Sequence, residues 1–443
     1  MKNLINTLVN IWKIEDLRVR ILSTLGFILI YRLGSFVVLP GVDPVILNQA
    51  SGDANGIAAL LNIFAGGAFS RASIFALGIM PYISASIVMQ LLGIAVPTIQ
   101  KMQKEGESGR KKINQWTRLL TIIITAGQAP GYLATQVPPN AIIEPGLFFN
   151  ISSIILLVTG TLFVMWLGER ITDKGIGNGI SLLIMIGIIA GLPSAFAFEW
   201  EEQITNGGGL VILLIEVVFL LLVIIGTVLL VQGVRRVPVQ FAKRIVGNRQ
   251  YGGQRQFIPL KVNAAGVMPI IFAQALMFIP VTIANFDTDG DVPNFLVWFS
   301  DITGFWYNFT FFIMIILFTY FYTAITVNPN QMAEDLKKNG GFIPGVKPGK
   351  KTADFLDNIL SRITLPGSIF LGFVAILPAF AMIAGVSQGF GYFFGGTSLL
   401  IMVGVILDTL QQIESHLLMR HYDGLMKSGR IKGRSSSAFG LAG

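Results

Sequence analysis

Long runs of apolar residues recur along the chain and are separated by short polar segments. Ten of these runs approach the roughly 20 residues that a helix needs to cross the hydrocarbon core of a bilayer. The pattern therefore predicts an all-α polytopic membrane protein with ten transmembrane helices. They are expected at 21–39, 74–96, 116–136, 147–168, 176–195, 210–231, 263–284, 305–327, 364–385 and 397–418.

The composition supports this class and excludes others. Of 443 residues, 53% are hydrophobic and only 13% are charged, with a mean hydropathy of +0.68, which is not the composition of a water-soluble chain. Because there is no cysteine, neither disulfides nor thiolate metal sites are expected. The segment 1–20 contains Trp12, Glu15 and Asp16 before the first apolar run, so we interpret it as a retained cytoplasmic segment rather than a signal peptide.

The basic residues are distributed asymmetrically between alternate loops. With the amino terminus in the cytoplasm, 30 of the 32 Lys and Arg fall on the cytoplasmic side, and only Arg32 and Arg71 do not. By the positive-inside rule, both termini are predicted to be cytoplasmic. The loops on the other side carry acidic residues, namely Asp43, Asp53, Glu144, Glu199, Glu201, Glu202, Asp287, Asp289, Asp291 and Asp301.

A short phrase occurs twice, as GIMP at 78–81 and as GVMP at 266–269. Dividing the ten helices into 21–195 and 210–418, joined by an external connection at 196–209, places the phrase in the second helix of each half. Five is an odd number, so the halves cross the membrane in opposite senses as an inverted repeat. Gly and Pro interrupt helices, and interrupted helices at matching positions indicate the functional path.

Two basic loops, 232–262 and 328–363, are longer than a connection requires and contain Phe, Tyr, Ile, Gly and Pro among their charges. We predict two projecting hairpins that dock an acidic or phosphate-rich partner, such as ribosomal RNA or an acidic protein face. A solvated basic loop in contact with lipid is the alternative. The tail, 419–443, is also predicted to be cytoplasmic.

The path between the halves is expected to be apolar. Ile79 and Ile83 share one helix face, as do Ile180 and Ile184. The only acidic residues well inside predicted spans are Glu216 and Asp408, which disfavours an ion-coupled transporter of small solutes, the main alternative function. A passive scaffold is disfavoured by the paired phrases.

Enzyme activity is not expected. His416 and His421, the only histidines, lie at the end of the last span, where they cannot serve as an intramembrane base or metal ligand. The glycine-rich segments GIGNG (175–179) and GVKPGKKT (345–352) do not have phosphate-loop spacing. Neither a cofactor nor a metal is therefore predicted.

Several long segments closely resemble the SecY family, the channel subunits of the bacterial Sec protein translocase. These are SRASIFALGIMPYISASIVMQLL (70–92), WLGERITDKGIGNGISLL (166–183), VPVQFAKR (237–244), IPLKVNAAGVMPIIFA (258–273) and LKKNGGFIPGVKPGKKTADFLD (336–357). The resemblance covers essentially the whole chain. It implies a passive channel for unfolded secretory proteins, which also inserts membrane proteins sideways into the cytoplasmic membrane.

The resemblance also assigns roles to individual residues. It implies two five-helix halves around a pore, closed by a plug helix at 57–71. The pore ring would be Ile79, Ile83, Ile180, Ile184, Ile271 and Ile401. The plug residues would include Leu60, Leu61, Asn62, Ile63, Phe64, Gly66, Gly67 and Arg71. The lateral gate would involve Ser84, Gln90, Gln274 and Ile279.

The same family supplies the expected partners: the small membrane subunits SecE and SecG, the SecA ATPase or the translating ribosome as the source of energy, precursors with signal sequences, and membrane lipid. The docking residues would be Arg235, Arg236, Lys243, Arg244, Arg249, Arg255, Lys347, Lys350 and Lys351. Lys347 departs from the family, which usually has arginine at this loop tip. Lysine keeps the charge but cannot form the planar two-pronged contact of arginine.

Overall fold

The structure is a computed structural model. It describes residues 14–50, 62–205, 209–241, 244–246, 249–251, 255–274, 276–277, 301 and 303–427. The predicted site residues Leu60, Leu61, Lys243 and Ile279 lie outside the described residues.

Helices dominate the first half of the chain. In chain order they are α1 (Glu15–Gly34), α2 (Pro44–Ala50), α3 (Met80–Ala95), α4 (Pro97–Lys104), α5 (Glu107–Gln136), α6 (Leu147–Lys174) and α7 (Gly179–Thr205). The second half contains α8 (Gly209–Gln232), α9 (268–274), α10 (Phe305–Thr326), α11 (Pro329–Lys338), α12 (Lys350–Ile383), α13 (Gln388–Gly391) and α14 (Gly396–Lys427). Its strands are β1 (Val234–Phe241), β2 (Arg244–Val246), β3 (Arg249–Tyr251), β4 (Arg255–Lys261) and β5 (Gly341–Phe342).

A helix lies at the position of every one of the ten predicted spans, although only the first part of the seventh is described. Among the described helices, six are long and apolar enough to cross a membrane, and the bent pair α3 and α4 gives a seventh if it counts as one span. By contrast, α1 and α5 are more polar, with acidic residues in their first turns. The helical fold class predicted from the hydropathy pattern is confirmed.

The repeated Gly-Pro phrase begins helices and does not interrupt them, contrary to the prediction. Gly78 and Gly266 have positive φ angles of 54° and 63°, and helical structure starts two residues later, at Met80 and 268. Pro81 lies in the first turn of α3, where a backbone N–H has no partner within the helix and proline costs little. The residues before Met80 form turns instead of the predicted helical segment from 74.

The predicted external connection at 196–209 is mostly helical, because α7 continues to Thr205 and α8 begins at Gly209. Glu199 and Gln203 in this extension are buried. Pro193 lies inside α7, so this proline does not end the helix.

The two basic loops form one folded unit. In the first loop, β1 pairs antiparallel with β4 as the predicted hairpin. The second loop is not a hairpin: it contains α11, which Asn328 caps by accepting hydrogen bonds from the N–H groups of Asn330 and Gln331. Its short strand β5 pairs with β1, which gives a sheet of order β4-β1-β5.

This unit has its own hydrophobic core, which lies between the sheet and the start of α12. The buried members are Val237, Val239, Leu260, Ile343, Leu356 and Leu360. The prediction of folded docking surfaces did not anticipate that residues distant in sequence would share a single core. Because they share this core, the loops 232–262 and 328–363 present their basic residues from one folded unit, which we call the basic platform.

Candidate functional site

The six predicted ring isoleucines lie in one hydrophobic cluster. Of the six, Ile79, Ile184 and Ile401 are among its buried members, at 6%, 8% and 4% exposure, and Ile83, Ile180 and Ile271 pack against the cluster partly buried. They come from α3, α7, α9, α14 and the turn before α3, so both halves of the chain contribute. The sequence prediction that these positions converge is consistent with this packing, and their role as a pore ring remains a prediction.

The repeat explains a further residue at this cluster, Val267, which the sequence analysis missed. Ile79 precedes α3, and its carbonyl accepts the N–H of Ile83. Val267, which directly precedes α9, occupies the matching position, and its carbonyl accepts the N–H of Ile271. Val267 packs against the same cluster. Aligning GIMP with GVMP residue by residue would have found Val267.

Residues of the predicted plug lie against this cluster. Phe64 is a buried member, and Ile63 packs on it partly buried. The described part of the segment, from Asn62, begins with a short helical stretch and continues in turns. The Asn62 side chain accepts the N–H of Ser70 at 3.1 Å. Gly66 and Gly67 have positive φ angles, which glycine adopts without strain.

The segment is packed tightly against α7. A Cβ on Gly187 would overlap the carbonyl oxygen of Phe64, and a Cβ on Gly66 would approach Gly187 within 3.0 Å. On another side, the Tyr132 hydroxyl donates to the carbonyl of Phe69 at 2.7 Å. The small residue at 187 thus allows the backbone of the segment to lie directly on a helix of the first half.

Two arginines converge on one carbonyl of this segment. Arg32 Nη1 and Arg71 Nη2 both donate to the oxygen of Gly66, at 3.0 and 2.9 Å. Their guanidinium groups lie over the Phe36 ring, 5.4 and 4.3 Å from its centroid, a favourable cation–π arrangement. Neither forms an ion pair with a described residue. Burial, and then the charge of Arg32, lower the pKa of Arg71.

Arg32 was not predicted as a site residue, although the charge distribution of the sequence pointed to it. Arg32 and Arg71 are the two basic residues that the charge count left outside the cytoplasmic loops. A basic residue that violates the positive-inside distribution is costly to keep, so a specific contact was to be expected for each.

The predicted lateral gate residues are in different environments. Gln90 lines a cavity of about 240 Å³ between α3 and the second half of the chain. Ser84 donates to Met80 in its own helix at 3.2 Å. The side-chain oxygen of Gln274 accepts from the Thr397 hydroxyl at 2.7 Å, next to the start of α14, and the gate role of these residues remains a prediction.

The cavity is mainly apolar and aromatic, with amide groups at one side. It is bounded by α3, α4, α9 and α10, through Gln90, Leu91, Gln103, Phe272, Phe321, Tyr322, Ile325 and Thr326. A space with this lining suits an apolar segment that keeps a few polar contacts. Its walls include α3 and α9, the two helices that begin at the repeated phrase.

The predicted docking residues are exposed wherever their side chains are described. Arg235 and Arg236 lie on β1, and Lys347, Lys350 and Lys351 lie at the tip of the second loop. The tip is shaped by positive φ angles at Gly345 and Gly349 and by the Thr352 hydroxyl, which donates to the carbonyl of Lys347 at 3.0 Å. Arg244, Arg249 and Arg255 begin strands β2, β3 and β4.

Sequence comparisons agree with this architecture. The family model of SecY matches residues 73–410. The protein translocase subunit SecY of Streptomyces galbus is 42% identical to the chain, with 94% of this chain and 98% of the relative covered. The subunit of the same name from Mycobacterium tuberculosis strain H37Rv is 43% identical, with coverages of 93% and 97%.

Solved structures share the fold at lower identity. One described as the structure of a protein-conducting channel has a TM-score of 0.64 at 18% identity, covering 90% of this chain and 92% of that chain. Sec61 in the canine ribosome–channel complex has a TM-score of 0.61 at 18% identity, with the same coverages. With full-length relatives above 40% identity and a family model that covers most of the sequence, the chain belongs to the SecY family.

Proposed function

We propose that the chain is the central subunit of a protein-conducting channel, which passes unfolded secretory proteins across the cytoplasmic membrane and releases membrane segments sideways into lipid. The observation that carries the proposal is the shared cluster of six isoleucines from both halves. An apolar constriction sheds water when empty and blocks ions. It also makes no polar demands on a passing chain, so it can accommodate many sequences.

In this proposal, Ile63, Phe64 and the following turns form the plug over the constriction. Arg32 and Arg71 hold it in place through the Gly66 carbonyl. Opening the channel requires these two hydrogen bonds to break, together with the packing of Phe64 on the cluster. Both are contacts of moderate strength, which suits a closure that must be reversible.

The cavity beside Gln90 is proposed as the entry of the lateral gate. A signal sequence is an apolar helix, and its transfer from an aqueous pore to lipid is favourable by about 25 cal/mol per Å² of apolar surface. The cavity lies between α3 and the helices α9 and α10 of the other half. Separation of the halves there would give such a helix a direct route to lipid.

The proposal includes the orientation of the chain in the membrane and the source of energy for transport. Both termini and the basic platform face the cytoplasm, where the SecA ATPase or the translating ribosome docks on the exposed arginines and lysines. Sec61 and the yeast Ssh1 complex are relatives in fold whose structures include the ribosome. SecE and SecG are the proposed small membrane subunits, and they would cover apolar helix faces exposed in this chain.

The test is reconstitution of the chain with SecE, SecG and SecA in proteoliposomes. A precursor with a signal sequence should become protected from external protease when ATP is present. A photocrosslinking residue at Gln90 should capture the signal sequence, whereas the same residue at Leu222, which is 63% exposed on α8, should not. Absence of protection would overturn the channel function, and equal capture at the two positions would overturn the gate.

A further inference from the structure

Three carboxylic acids with buried oxygens lie in the region where α7 ends and α8 begins. Glu199 is completely buried, Glu216 is 7% exposed, and Glu202 has one buried carboxylate oxygen. Neither helix carries Lys, Arg or His, and residues 384–391, which pack against this end of α7, carry no titratable side chain. Glu201 is the only other acidic residue on these elements, and it is exposed. These elements therefore provide no cation for the acids, and none of the acids forms an ion pair within the described residues.

One glutamine bridges two of the acids. Gln203 Nε2 donates to Glu199 Oε1 at 2.8 Å and to Glu216 Oε1 at 3.1 Å. The second oxygen of Glu199 accepts the backbone N–H of Ser387 at 2.9 Å. Ser387 belongs to the second half of the chain, so Glu199 connects the halves at this end of α7. At the other end, the N–H of Gly177 donates to Gln412 Oε1 at 2.9 Å.

The remaining oxygen of Glu216 has no donor among the described residues. Glu216 Oε2 is buried and makes no hydrogen bond, while Glu216 Oε1 and Glu199 Oε1 share the same Gln203 donor. Two ionised carboxylates are both acceptors and repel each other, and burial makes their ionisation costly. A single proton between them removes the repulsion and provides the missing donor.

The surroundings keep this pair away from solvent. Next to it lies a cluster formed by Ala195 and Phe196 of α7, Leu220 of α8, and Ala381, Val386, Phe390 and Phe394 of the second half. In such an apolar environment the electrostatic cost of a second negative charge is larger than in water. The pair thus has one arrangement that satisfies all its groups, with one carboxyl protonated and one ionised.

We propose that Glu199 and Glu216 bind one proton between them, and that this proton site fastens the two halves of the protein at the end of α7. The proton bridges a Glu216 oxygen and the Glu199 carboxylate, which keeps its hydrogen bond to Ser387. On release the proton passes to water, and two anions are left side by side. Their repulsion displaces the Glu199 carboxylate and weakens the contact with Ser387. Rising pH therefore loosens this junction.

The first test is infrared spectroscopy of the full-length protein in lipid nanodiscs, titrated from about pH 5 to about pH 9. The wild type should show the carbonyl band of a buried carboxylic acid, which disappears as the pH rises. Glu216→Gln keeps the size and can still donate to Glu199, and it should lack the band. Glu201→Gln, at the exposed neighbour, should retain it. Should Glu216→Gln fail to fold, Glu199→Gln serves instead, since it should shift the band.

The second test measures the junction itself. Spin labels on Ala197→Cys and Ala384→Cys, both exposed, report the distance between the halves there. This distance should increase with pH in the otherwise wild-type protein and stay constant with Glu216→Gln. A carboxylic acid band unaffected by substitution of either glutamate, or a pH response that Glu216→Gln leaves intact, would overturn the proposal. Neither measurement depends on translocation, so the proposed channel function is tested separately.

Discussion

Gly78 and Gly266 occupy equivalent places in the two halves, each with a positive φ angle and each two residues before the start of a helix. Both helices have proline in the first turn and an isoleucine, Ile83 or Ile271, that packs on the central cluster. The repeated phrase is thus a helix-start signal. It fixes where each helix begins and so places one isoleucine from each half at the central cluster.

The conformation of these glycines should make them sensitive to alanine. Gly266→Ala should lower the free energy of unfolding by about 1–2 kcal/mol, because a Cβ is disfavoured in the left-handed region. The effect should be purely conformational, since no described atom lies within 4 Å of the added Cβ. Gly78→Ala should behave in the same way. Gly26→Ala, within α1 and also without close neighbours, is the control and should raise stability by up to about 1 kcal/mol. Denaturant titration of the purified protein measures all three, and an equal response at positions 26 and 266 would contradict the conformational explanation.

The isoleucine cluster should control ion leak through the empty channel. Ile401→Asn and Ile271→Asn each place a group that holds water in a cluster whose apolar burial is worth roughly 1.5–3 kcal/mol for a fully buried isoleucine. Both variants should raise the conductance of reconstituted channels several-fold, whereas Leu at either position should remain tight. Ile225→Asn, on α8 and 60% exposed, should not leak. Tight channels with Asn at both cluster positions would place the seal elsewhere.

The two arginines on Gly66 should hold the plug closed. Arg32→Gln removes one charge-assisted hydrogen bond and one cation–π contact, together worth about 1–3 kcal/mol, so the leak conductance should rise. Arg32→Lys should restore part of the closure, because it keeps the charge but loses the planar group. Arg18→Gln, at the opposite end of α1, is the control. If the leak of Arg32→Gln matches that of Arg18→Gln, then Arg32 does not act on the plug.

The basic platform should determine docking of the ribosome or motor. Changing Lys347, Lys350 and Lys351 together to glutamate should weaken binding at moderate salt by at least tenfold, and the wild-type affinity should fall steeply as salt rises. Lys111 is exposed on α5 and pairs with Glu107. Its reversal to glutamate tests whether the loss of any exposed basic residue is sufficient to weaken binding. Sedimentation with ribosomes and binding of the motor ATPase provide the measurements. Unchanged binding in the triple variant would remove the tip of the second loop from the docking surface.

The sequence by itself determined the membrane class, the positions of the helices and the family. Hydropathy decides these because each span must satisfy its backbone hydrogen bonds internally, so a run of about 20 apolar residues has one stable form in lipid. The repeat also indicated which isoleucines to compare. The repeated phrase itself was misinterpreted for a local reason, because Gly and Pro were expected to interrupt a helix. In the structure the glycine has a positive φ angle and the proline lies in the first turn, so the phrase begins a helix.

Contacts between residues far apart in sequence were decided only by the tertiary structure. Arg32 and Arg71 meet on Gly66, Gln274 accepts a hydrogen bond from Thr397, and Gln203 links Glu199 to Glu216. The loops at 232–262 and 328–363 share one sheet and one core. Periodicity gives the face of each helix but not the neighbour of that face. These pairs exist because packing brings two elements together, and their polar groups then find partners that no local pattern specifies.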